Sequence, residues 1–547
     1  MPLSYASGPS VEPLLGETIG DNFDRVAVAH ADQLCLISRH EGIRLTYAEM
    51  ASAVDRCARG LLATGIHRGD RIGIWAPNRS EWAILQYAAA KVGAILVNIN
   101  PAYRTHEVAY VLEQSGCRML VATAEFKGSN YVTMIAEVRR TLRGLETTVF
   151  LDSSAGDMSW AALLAAADAV TADQLEARQS VLQFDDPINI QYTSGTTGFP
   201  KGATLSHHNI LNNAYNVTGL QGLGPGDPLC IPVPLYHCFG MVMGNLGCTT
   251  RGAAIVYPAP SFEPDATLAA VEAERCVSLY GVPTMFIAML DSPRFAEFDL
   301  TSLRTGVMAG SPCPVEVMKR CVNDMHMSEV TICYGMTETS PVSFQSRTDD
   351  SVERRVSTVG RVHPWVECKI VEPNDGAVVQ VGETGELCTR GYSVMLGYWD
   401  NPGATTAAID EAGWMHTGDL AVMDEEGFVN IVGRSKDMII RGGENVYPRE
   451  IEEFLYTHPA IVDVQVIGVP DKRFGEEICA WVRLRDGDSL TIDELRAFCE
   501  GRIAHYKVPR YMRVSDQFPM TVTGKVRKVE MREISASELG LVADVTA

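Results

Sequence analysis

The 547-residue sequence has fewer positively than negatively charged residues, and this imbalance disfavours nucleic acids as partners. It contains 46 Lys and Arg residues against 68 Asp and Glu residues, which gives a formal net charge of −22 at pH 7. A chain with this charge repels the phosphate backbones of DNA and RNA, so general nucleic-acid binding is excluded. Any phosphate group that the protein binds must therefore be held by a locally built site.

Cysteine pairs at redox or metal-site spacing are also missing. The 14 cysteines are scattered from Cys35 to Cys499, and none forms a C-x-x-C pair. This spacing argues against a zinc ribbon and against a disulfide framework. The first residues show no basic region followed by an apolar run, so no secretory signal is predicted. Reduced thiols and a cytoplasmic location are expected.

Long apolar runs without helix breakers are absent as well. The least charged stretch, 228–250, contains no Asp, Glu, Lys or Arg. Its prolines and glycines would interrupt a helix that faces lipid: Pro232, Pro234, Gly240, Gly244 and Gly247. We interpret this stretch as a buried segment that lines a ligand site. No transmembrane segment is expected, contact with membranes would be peripheral, and no particular oligomeric state is predicted.

What the sequence does contain is a regular alternation of strands and helices. Thr46 and Glu49 have the spacing of a capping box and predict the start of a helix. A strand at 71–75, a helix at 81–92 and a strand at 94–97 follow. Further strands at 120–122 and 253–257 and a helix at 264–275 continue the alternation. This order is typical of a largely parallel α/β sheet within one large domain.

The pattern changes after about residue 360. Glycine-punctuated β segments at 367–371, 385–389 and 427–432 predict a smaller β-rich subdomain. A compact α+β pattern then follows, with helices at 448–456 and 491–502 and strands at 462–469 and 478–484. We therefore divide the chain into a large domain at 1–433, a short boundary segment at 434–437 and a C-terminal domain at 438–547.

A polar, glycine-rich loop follows the apolar run 188–192. It comprises Thr193, Ser194, Gly195, Thr196, Thr197, Gly198, Phe199, Pro200 and Lys201. Glycines let backbone N–H groups approach a polyphosphate, hydroxyls donate hydrogen bonds, and a lysine adds a mobile positive charge. The spacing is not that of a Walker A loop. The loop predicts phosphate binding, although loops of this composition also serve as flexible linkers.

The same loop closely resembles the signature of the adenylate-forming superfamily, which includes acyl-CoA synthetases, luciferases and peptide-synthetase adenylation domains. Segments that resemble the other family motifs follow in the family's order, at 233–240, 334–339, 413–419, 433–437 and 523–525. Because they span nearly the whole chain, the sequence is identified as a member of this superfamily, on the fatty acyl-CoA synthetase side. The resemblance implies an α/β fold with a large N-terminal domain, made of two α/β subdomains plus a β-rich subdomain, and a small mobile α+β C-terminal domain.

The resemblance also implies a nucleotide site. Its adenine side would be formed by Gly310, Ser311, Pro312, Tyr334, Gly335 and Met336. Thr337 would lie near the α-phosphate, and Glu338 with Thr193 would bind Mg²⁺, a hard cation that prefers carboxylate and phosphate oxygens. Asp419 would accept hydrogen bonds from the ribose hydroxyls, with Arg434 beside it. Plain structural roles are the alternatives: a helix cap at 337–339, an Asx turn at Asp419 and a surface charge at Arg434.

Three further segments are given roles by the resemblance. Lys525 would neutralise charge on the reacting carboxylate and the α-phosphate, and Lys436 would act as a hinge. Arg441, Gly442, Gly443 and Glu444 would face coenzyme A, since glycines permit close approach of its pantetheine arm. Adenylation needs Lys525 inward, whereas thioester formation needs it removed, and alternation of the small domain meets both needs. A lysine in a turn is otherwise a solvated charge, and a glycine-rich run before Pro448 is also a turn.

The substrate side rests on an apolar segment. His237 resembles the residue that closes the carboxylate end of the family's pocket, with a core histidine as the alternative. The candidate acyl pocket comprises Phe239, Met241, Met243, Gly281 and Met308. Methionines suit a flexible alkyl chain, although Met and Phe also form ordinary cores. Segment 236–239 has no carboxylate where amino-acid-activating domains bind the substrate ammonium, which disfavours an amino acid.

Together these features predict ATP-dependent activation of a medium- or long-chain fatty acid. ATP, Mg²⁺ and coenzyme A would be required, and acyl-AMP and then acyl-CoA would form. Transfer of the acyl group to a carrier protein, or activation of an aryl or other small acid, are alternatives, and a luciferase-like oxygenase is a remoter one. A non-catalytic adenylate-binding protein is disfavoured because Lys525, Glu338 and Asp419 are all present.

Overall fold

The chain forms two compact units. The computed structural model describes residues 2–142, 144–193, 200–311, 313–434, 437–441, 444–520 and 526–541, the side chains of Glu444 and Asn445 excepted. The larger unit comprises Ala6–Cys368 and Thr389–Met415, and the smaller comprises Met1–Tyr5, Lys369–Cys388 and His416–Ala547. The smaller unit thus includes strands that the sequence assigns to the N-terminal domain. The boundary at 434–437 stays a prediction.

Helices and strands alternate along most of the described chain. The α-helices are α1 Ile19–Ala29, α2 Tyr47–Ala63, α3 Ser80–Val92, α4 Thr105–Ser115, α5 Tyr131–Val138, α6 Trp160–Ala166, α7 Ala172–Gln179, α8 His207–Gly219, α9 Gly247–Arg251, α10 Pro264–Glu274, α11 Pro283–Leu290, α12 Val315–Asp324, α13 Val352–Ser357, α14 Pro402–Ala408, α15 Pro448–Leu455, α16 Ile492–Cys499 and α17 Lys528–Glu538. A π-helix spans Phe239–Leu246, and short 3₁₀ turns span Ala167–Ala169, Phe295–Glu297, Thr337–Thr339 and His505–Lys507.

Within the described residues, the strands form four main sheets and one small hairpin. Their bounds are β1 Tyr5–Ser7, β2 Leu34–Ser38, β3 Ile43–Thr46, β4 Arg71–Trp75, β5 Ile95–Asn98, β6 Cys117–Ala122, β7 Glu125–Phe126, β8 Ser129–Asn130, β9 Thr147–Phe150, β10 Met158–Ser159, β11 Pro187–Thr193, β12 Lys201–Ser206, β13 Pro228–Cys230, β14 Ala254–Tyr257, β15 Ser278–Gly281, β16 Thr305–Ala309, β17 Glu329–Gly335, β18 Val342–Gln345, β19 Arg361–Val362, β20 Val366–Val371, β21 Gly385–Gly391, β22 Gly397–Tyr398, β23 Met415–Met423, β24 Val429–Arg434, β25 Ile439–Arg441, β26 Glu444–Val446, β27 Ile461–Asp471, β28 Gly475–Leu484 and β29 Tyr511–Val514.

Two large sheets form the framework of the larger unit. One has the order β10-β9-β6-β4-β5-β11-β12-β22, and the other has the order β19-β18-β17-β16-β15-β13-β14-β2-β3. Strands from β10 to β11 in the first sheet and from β17 to β2 in the second are parallel. Antiparallel strands complete both sheets at their edges. The predicted largely parallel α/β architecture is confirmed.

Helix α2 shows how the local sequence specifies this core. Thr46 Oγ1 accepts a hydrogen bond from Glu49 N at 3.2 Å, and Glu49 Oε2 accepts one from Thr46 N at 2.8 Å, which confirms the predicted capping box. The inward face of the helix is fully buried: Met50, Val54, Cys57 and Leu61. Burial of a side chain the size of Leu61 contributes roughly 2 kcal/mol. These residues join a hydrophobic cluster that draws side chains from both large sheets.

The uncharged segment 228–250 is buried, as predicted. After β13 it forms the π-helix Phe239–Leu246, which continues directly into α9. A Cβ atom at Gly240 would lie 2.4 Å from the carbonyl oxygen of Pro234, so only glycine fits there. Across the described part of the chain, no helix is long and apolar enough to cross a membrane.

The smaller unit contains a mixed sheet with the order β26-β25-β28-β27, and β29 pairs in parallel with β28. Most residues of a five-stranded sheet, with the order β1-β20-β21-β23-β24, also belong to this unit. The predicted strands and helices of the C-terminal region are present. Helix α16 ends at Cys499, earlier than the predicted end at residue 502, because Glu500 is extended and Gly501 takes a φ of +71°.

Candidate active site

A β-hairpin positions the ends of the predicted phosphate loop. Strands β11 and β12 pair antiparallel, and Thr193 lies opposite Lys201 at the end of the hairpin where the two strands join the loop. Residues 194–199 lie outside the described residues, so the predictions for Ser194, Gly195, Thr196, Thr197, Gly198 and Phe199 stay predictions. The ammonium group of Lys201 lies 5.1 Å from the centre of the Tyr398 ring, a cation–π contact that holds the lysine beside the loop.

A tight turn after β17, in the same unit as the hairpin, positions Glu338. Gly335 ends the strand, and a Cβ atom there would lie 1.8 Å from the carbonyl oxygen of Pro341, so the turn requires glycine. Met336 N donates a hydrogen bond to Thr339 Oγ1 at 3.1 Å, which closes the 3₁₀ turn Thr337–Thr339. The turn buries the Glu338 side chain and leaves Thr337 half-buried.

Two neutral hydroxyl groups hold the Glu338 carboxylate. Its Oε1 accepts hydrogen bonds from Tyr398 Oη at 2.9 Å and from Thr193 Oγ1 at 3.2 Å. Burial, and then the adjacent carboxylate, raise the pKa of the Tyr398 phenol, so this group stays a donor. Hydroxyl donors orient a carboxylate without cancelling its charge. A buried carboxylate beside a hydroxyl is a donor set that fits the hard cation Mg²⁺.

The adenine-side candidates lie on the nine-stranded sheet and its loops. The Tyr334 ring is half-buried and lies 6.0 Å from Phe344 in an edge-on arrangement. Gly310 directly follows β16 with a φ of +92°, and Ser311 is exposed beside it. Pro312 lies outside the described residues. Parallel β16 and β17 are neighbours, so their carboxyl ends bring these two segments to one edge of the sheet.

A ladder of buried amides, which sequence reasoning missed, lies beneath Thr193. Gln191 Nε2 donates to Asn189 Oδ1 at 2.9 Å and approaches Met241 Sδ at 3.1 Å. Asn189 Nδ2 donates to Asn98 Oδ1 at 3.0 Å, and Asn98 Nδ2 donates to the Tyr236 carbonyl at 3.1 Å. The available signal was the spacing of two between the polar residues of β11, which places them on one face of the strand.

This amide ladder anchors the segment that carries His237. The rings of Tyr236 and His237 lie 4.7 Å apart, and His237 N donates to the Pro234 carbonyl. Burial, and then the Glu338 carboxylate, raise the pKa of the Cys238 thiol, so the segment lies within electrostatic range of Glu338. The role of His237 at the carboxylate end of the substrate pocket stays a prediction.

The acyl-pocket candidates do not all lie together. Phe239, Met241 and Met243 belong to the main hydrophobic cluster, and the Phe239 ring lies 5.6 Å from Tyr280. Gly281 follows Tyr280, and a Cβ atom at this position would lie 2.9 Å from the Phe286 ring. Met308 lies in a second cluster, because alternate residues of a strand point to opposite faces of a sheet. Its neighbours Val307 and Ala309 lie in the main cluster, so Met308 and Phe239 belong to different hydrophobic clusters, and the acyl-pocket role of the five candidates stays a prediction.

In the smaller unit, a second carboxylate is held by a guanidinium group. Strands β23 and β24 pair antiparallel with Asp419 opposite Arg434, and Arg434 Nε donates to Asp419 Oδ1 at 3.0 Å. Asp419 is buried, whereas about half of the Arg434 side chain is exposed. This pairing fixes the orientation of the carboxylate, as an acceptor for a vicinal diol requires. The hinge candidate Lys436 lies outside the described residues.

Most of the remaining predicted residues of the smaller unit lie outside the described residues, and Arg441 is the exception. Arg441 donates to both oxygens of the fully buried Glu477 carboxylate, at 2.7 and 2.9 Å, and its guanidinium lies over the Phe474 ring. This bidentate pair gives Arg441 a structural role. Gly442, Gly443 and Lys525 lie outside the described residues, as does the side chain of Glu444, so their predicted roles stay predictions.

Comparisons with known proteins agree with this geometry. A family model for AMP-binding enzymes matches residues 23–399, and one for the AMP-binding enzyme C-terminal domain matches residues 450–525. Putative acyl-CoA synthetase YngI from Bacillus subtilis (strain 168) is 49% identical over 535 residues, covering 95% of this chain and 97% of the relative. The mitochondrial medium-chain acyl-CoA ligase ACSF2 from Danio rerio is 44% identical over 555 residues, covering 98% and 91%.

Solved structures give the same result for the fold. The crystal structure of ATP-bound MatB from Rhodopseudomonas palustris superposes with a TM-score of 0.83 at 29% sequence identity. The superposition covers 95% of this chain and 99% of MatB. The predicted adenylate-forming fold is confirmed, and the chain belongs to the AMP-binding enzyme family.

Proposed function

We propose that the protein is an ATP-dependent, AMP-forming acyl-CoA ligase that acts on medium- or long-chain fatty acids. Support comes from the names of two relatives that match over nearly their whole length, a putative acyl-CoA synthetase and a medium-chain acyl-CoA ligase. The observation that carries the proposal within the site is the buried Glu338 carboxylate beside the ends of the phosphate loop. Its charge is oriented by neutral donors, which suits a site for a metal–polyphosphate substrate.

Two steps make up the reaction. A carboxylate oxygen of the fatty acid attacks the α-phosphorus of ATP, which breaks the bond to the β-phosphate oxygen and releases pyrophosphate. The thiolate of coenzyme A then attacks the acyl carbonyl carbon, the thiol proton passes to solvent, and AMP leaves. Lys525 would stabilise the charge that develops in the first step, and Asp419 would hold the ribose.

The described residues have defined tasks in this scheme. Glu338 and Thr193 would hold Mg²⁺, and Tyr398 would keep the carboxylate oriented. When bound there, Mg²⁺ supplies positive charge that offsets the phosphate oxygens. Lys201 would contact phosphate from the other end of the loop. The amide ladder would hold segment 236–241, so that His237 faces the carboxylate of the acid and the methionines face its alkyl chain.

An assay of both half-reactions tests the proposal. Purified enzyme receives ATP, Mg²⁺ and fatty acids of graded length, and pyrophosphate and acyl thioester are measured with and without coenzyme A. We expect pyrophosphate release with a medium- or long-chain acid and thioester only when coenzyme A is present. Parallel reactions with an aryl acid, a short acid and an acyl carrier protein separate the alternatives. Absence of a CoA thioester with every acid would overturn the proposal.

The lysine of the C-terminal domain gives a sharper test. We expect Lys525→Ala to lower adenylate formation by about 10²–10³-fold, because it removes a charge used only in the first step. Thioester synthesis from supplied acyl-adenylate should be retained. Lys319→Ala, on an exposed face of α12, is the control and should leave both half-reactions unchanged. Equal loss of both half-reactions in Lys525→Ala would contradict the separate use of this lysine.

A further inference from the structure

Three potential metal ligands converge in the smaller unit, in a place that the proposed reaction does not use. Glu386 and Cys388 are two residues apart on β21, so their side chains project from the same face. His416 lies on β23, the neighbouring strand of the five-stranded sheet. Its Nδ1 atom lies 2.9 Å from Glu386 Oε2 and 3.5 Å from Cys388 Sγ.

The spacing of the sulfur and nitrogen atoms matches that in a tetrahedral zinc centre. Bonds of about 2.3 Å to sulfur and about 2.0–2.1 Å to imidazole nitrogen place those two ligand atoms about 3.5 Å apart. This is the separation between Cys388 Sγ and His416 Nδ1. The same reasoning places nitrogen and a carboxylate oxygen about 3.3 Å apart, so the 2.9 Å between His416 Nδ1 and Glu386 Oε2 has to lengthen when a cation binds. All three donor atoms lie within 4.8 Å of one another.

The backbone holds the three side chains in this arrangement. Gly418 N donates to Glu386 Oε1 at 3.0 Å, which turns Oε2 toward His416. Thr417 Oγ1 donates to the Leu387 carbonyl at 2.7 Å and fixes the two strands beside each other. Cys388 is buried, whereas about one third of the His416 side chain is exposed. The cluster is therefore ordered and open to solvent at one side.

We propose that Glu386, Cys388 and His416 form a binding site for a thiophilic divalent cation, of which Zn²⁺ is the best match. Thiolate and imidazole donors select Zn²⁺ over Mg²⁺, which prefers oxygen ligands only. Binding displaces the thiol proton of Cys388 to solvent, so that thiolate and carboxylate together balance the charge of the cation. Three protein ligands leave the fourth position to water.

A cation at this site would change the position of Asp419, the carboxylate proposed to bind the ribose of ATP, because only a short segment of β23 separates them. Asp419 follows His416 by three residues on the same strand, and Gly418 N already contacts Glu386. A bound cation would shift this segment and weaken ATP binding. This consequence rests on the proposed function, whereas cation binding itself does not.

Binding is tested directly on the full-length protein. Protein treated with a chelator and then freed of it is titrated with Zn²⁺ in competition with a chromophoric indicator, and Co²⁺ is titrated to detect thiolate-to-metal charge-transfer absorption. We expect about one tight equivalent and a charge-transfer band. Cys388→Ser, His416→Asn and Glu386→Gln should each weaken binding by at least about 10-fold. Cys368→Ser, a buried cysteine on β20, is the matched control and should bind like the wild type.

The outcomes separate the site from the activity. Absence of a tight equivalent, or affinity that all three ligand variants leave unchanged, would overturn the proposal and leave a hydrogen-bonded cluster. Thermal unfolding identifies any variant that fails to fold, and the remaining variants still decide the result. In the activity arm, Zn²⁺ should raise the apparent KM for ATP in wild type and not in Cys388→Ser. The binding titration gives a result even if the protein has no ligase activity, so failure of the proposed function and failure of the cation site are distinguishable.

Discussion

Two buried carboxylates, one in each unit, are held in opposite ways. Glu338 is 5% exposed and accepts hydrogen bonds from two hydroxyl groups, whereas Asp419 is 9% exposed and pairs with a guanidinium. Their burial is similar, so the difference between them is one of charge. Hydroxyl donors leave the full negative charge on Glu338, and Arg434 offsets the charge on Asp419.

This difference assigns different chemistry to the two sites. Among the described residues Glu338 has no ionic partner, and a buried charge in this state is unfavourable, so the site is stabilised when a cation binds. The Asp419 carboxylate already pairs with a cation, the Arg434 guanidinium. It is stabilised further when neutral hydroxyl groups donate hydrogen bonds to its oxygens. The first arrangement suits a metal ion with its phosphates, and the second suits a ribose. Substitutions that remove each charge should therefore have unlike effects.

The largest effect is expected from Glu338→Gln. The amide keeps the shape and accepts the hydroxyl hydrogen bonds but carries no charge. We expect pyrophosphate release to fall by about 10²–10³-fold, because an oriented charge at the reacting phosphates is lost. The midpoint of thermal unfolding without Mg²⁺ should stay the same or rise, since a buried unpaired charge has been removed.

Glu316→Gln is the control for this substitution. Glu316 is an exposed carboxylate on α12 of the same unit and pairs only with Lys319 in the contacts described. Its rate and its unfolding midpoint should match those of wild type. A Glu338→Gln enzyme with normal pyrophosphate release, or one that is strongly destabilised, would contradict the contrast drawn between the two carboxylates.

A smaller effect is expected from Asp419→Asn. The apparent KM for ATP should rise about 10-fold, because the acceptor of the ribose hydroxyls is weakened, while the rate at saturating ATP changes less. Arg434 loses its partner but is half-exposed, so the free energy of unfolding should fall by less than about 1 kcal/mol.

The double variant Asp419→Asn with Arg434→Gln separates stability from binding. Removing both charges should restore most of the lost stability and none of the lost ATP affinity. Recovery of ATP affinity in the double variant would show that the unpaired arginine, and not the lost carboxylate, weakens binding. Denaturant unfolding and initial-rate kinetics on the same preparations provide both readouts.

Local patterns predicted much of the fold, and contacts between distant residues explain what they missed. The capping box at Thr46, the parallel strands and the helix at Pro448 were all predicted from spacing and periodicity. Tyr398 was missed as a partner of Glu338 because the contact joins residues 60 positions apart. Nothing in the two-residue strand β22 marks its tyrosine as polar and inward.

The placement of Met308 in the sheet shows the same limit. Met308 has the composition of a pocket residue, but the face that it occupies depends on the register of β16 within the nine-stranded sheet. A shift of one residue in that register would exchange it with Val307, so no local pattern decides the matter. The buried amides of β11 differ from Met308, because their spacing of two is visible in the sequence. They were missed because the surrounding residues have the pattern of an ordinary apolar strand.

The smallest effect is expected from Tyr398→Phe, which removes one hydroxyl from Glu338 and keeps the ring beneath Lys201. Thr193 still donates to the same oxygen, so we expect pyrophosphate release to fall only about 3–10-fold, and unfolding free energy by about 1 kcal/mol. Tyr392→Phe is the matched control, because its hydroxyl accepts a partly buried hydrogen bond from Asn216 outside the site. This control should lose a similar amount of unfolding free energy and keep its rate of pyrophosphate release.

A Tyr398→Phe rate as low as that of Glu338→Gln would mean that the phenol takes part in the reaction, and an unchanged rate would mean that Thr193 alone orients the carboxylate.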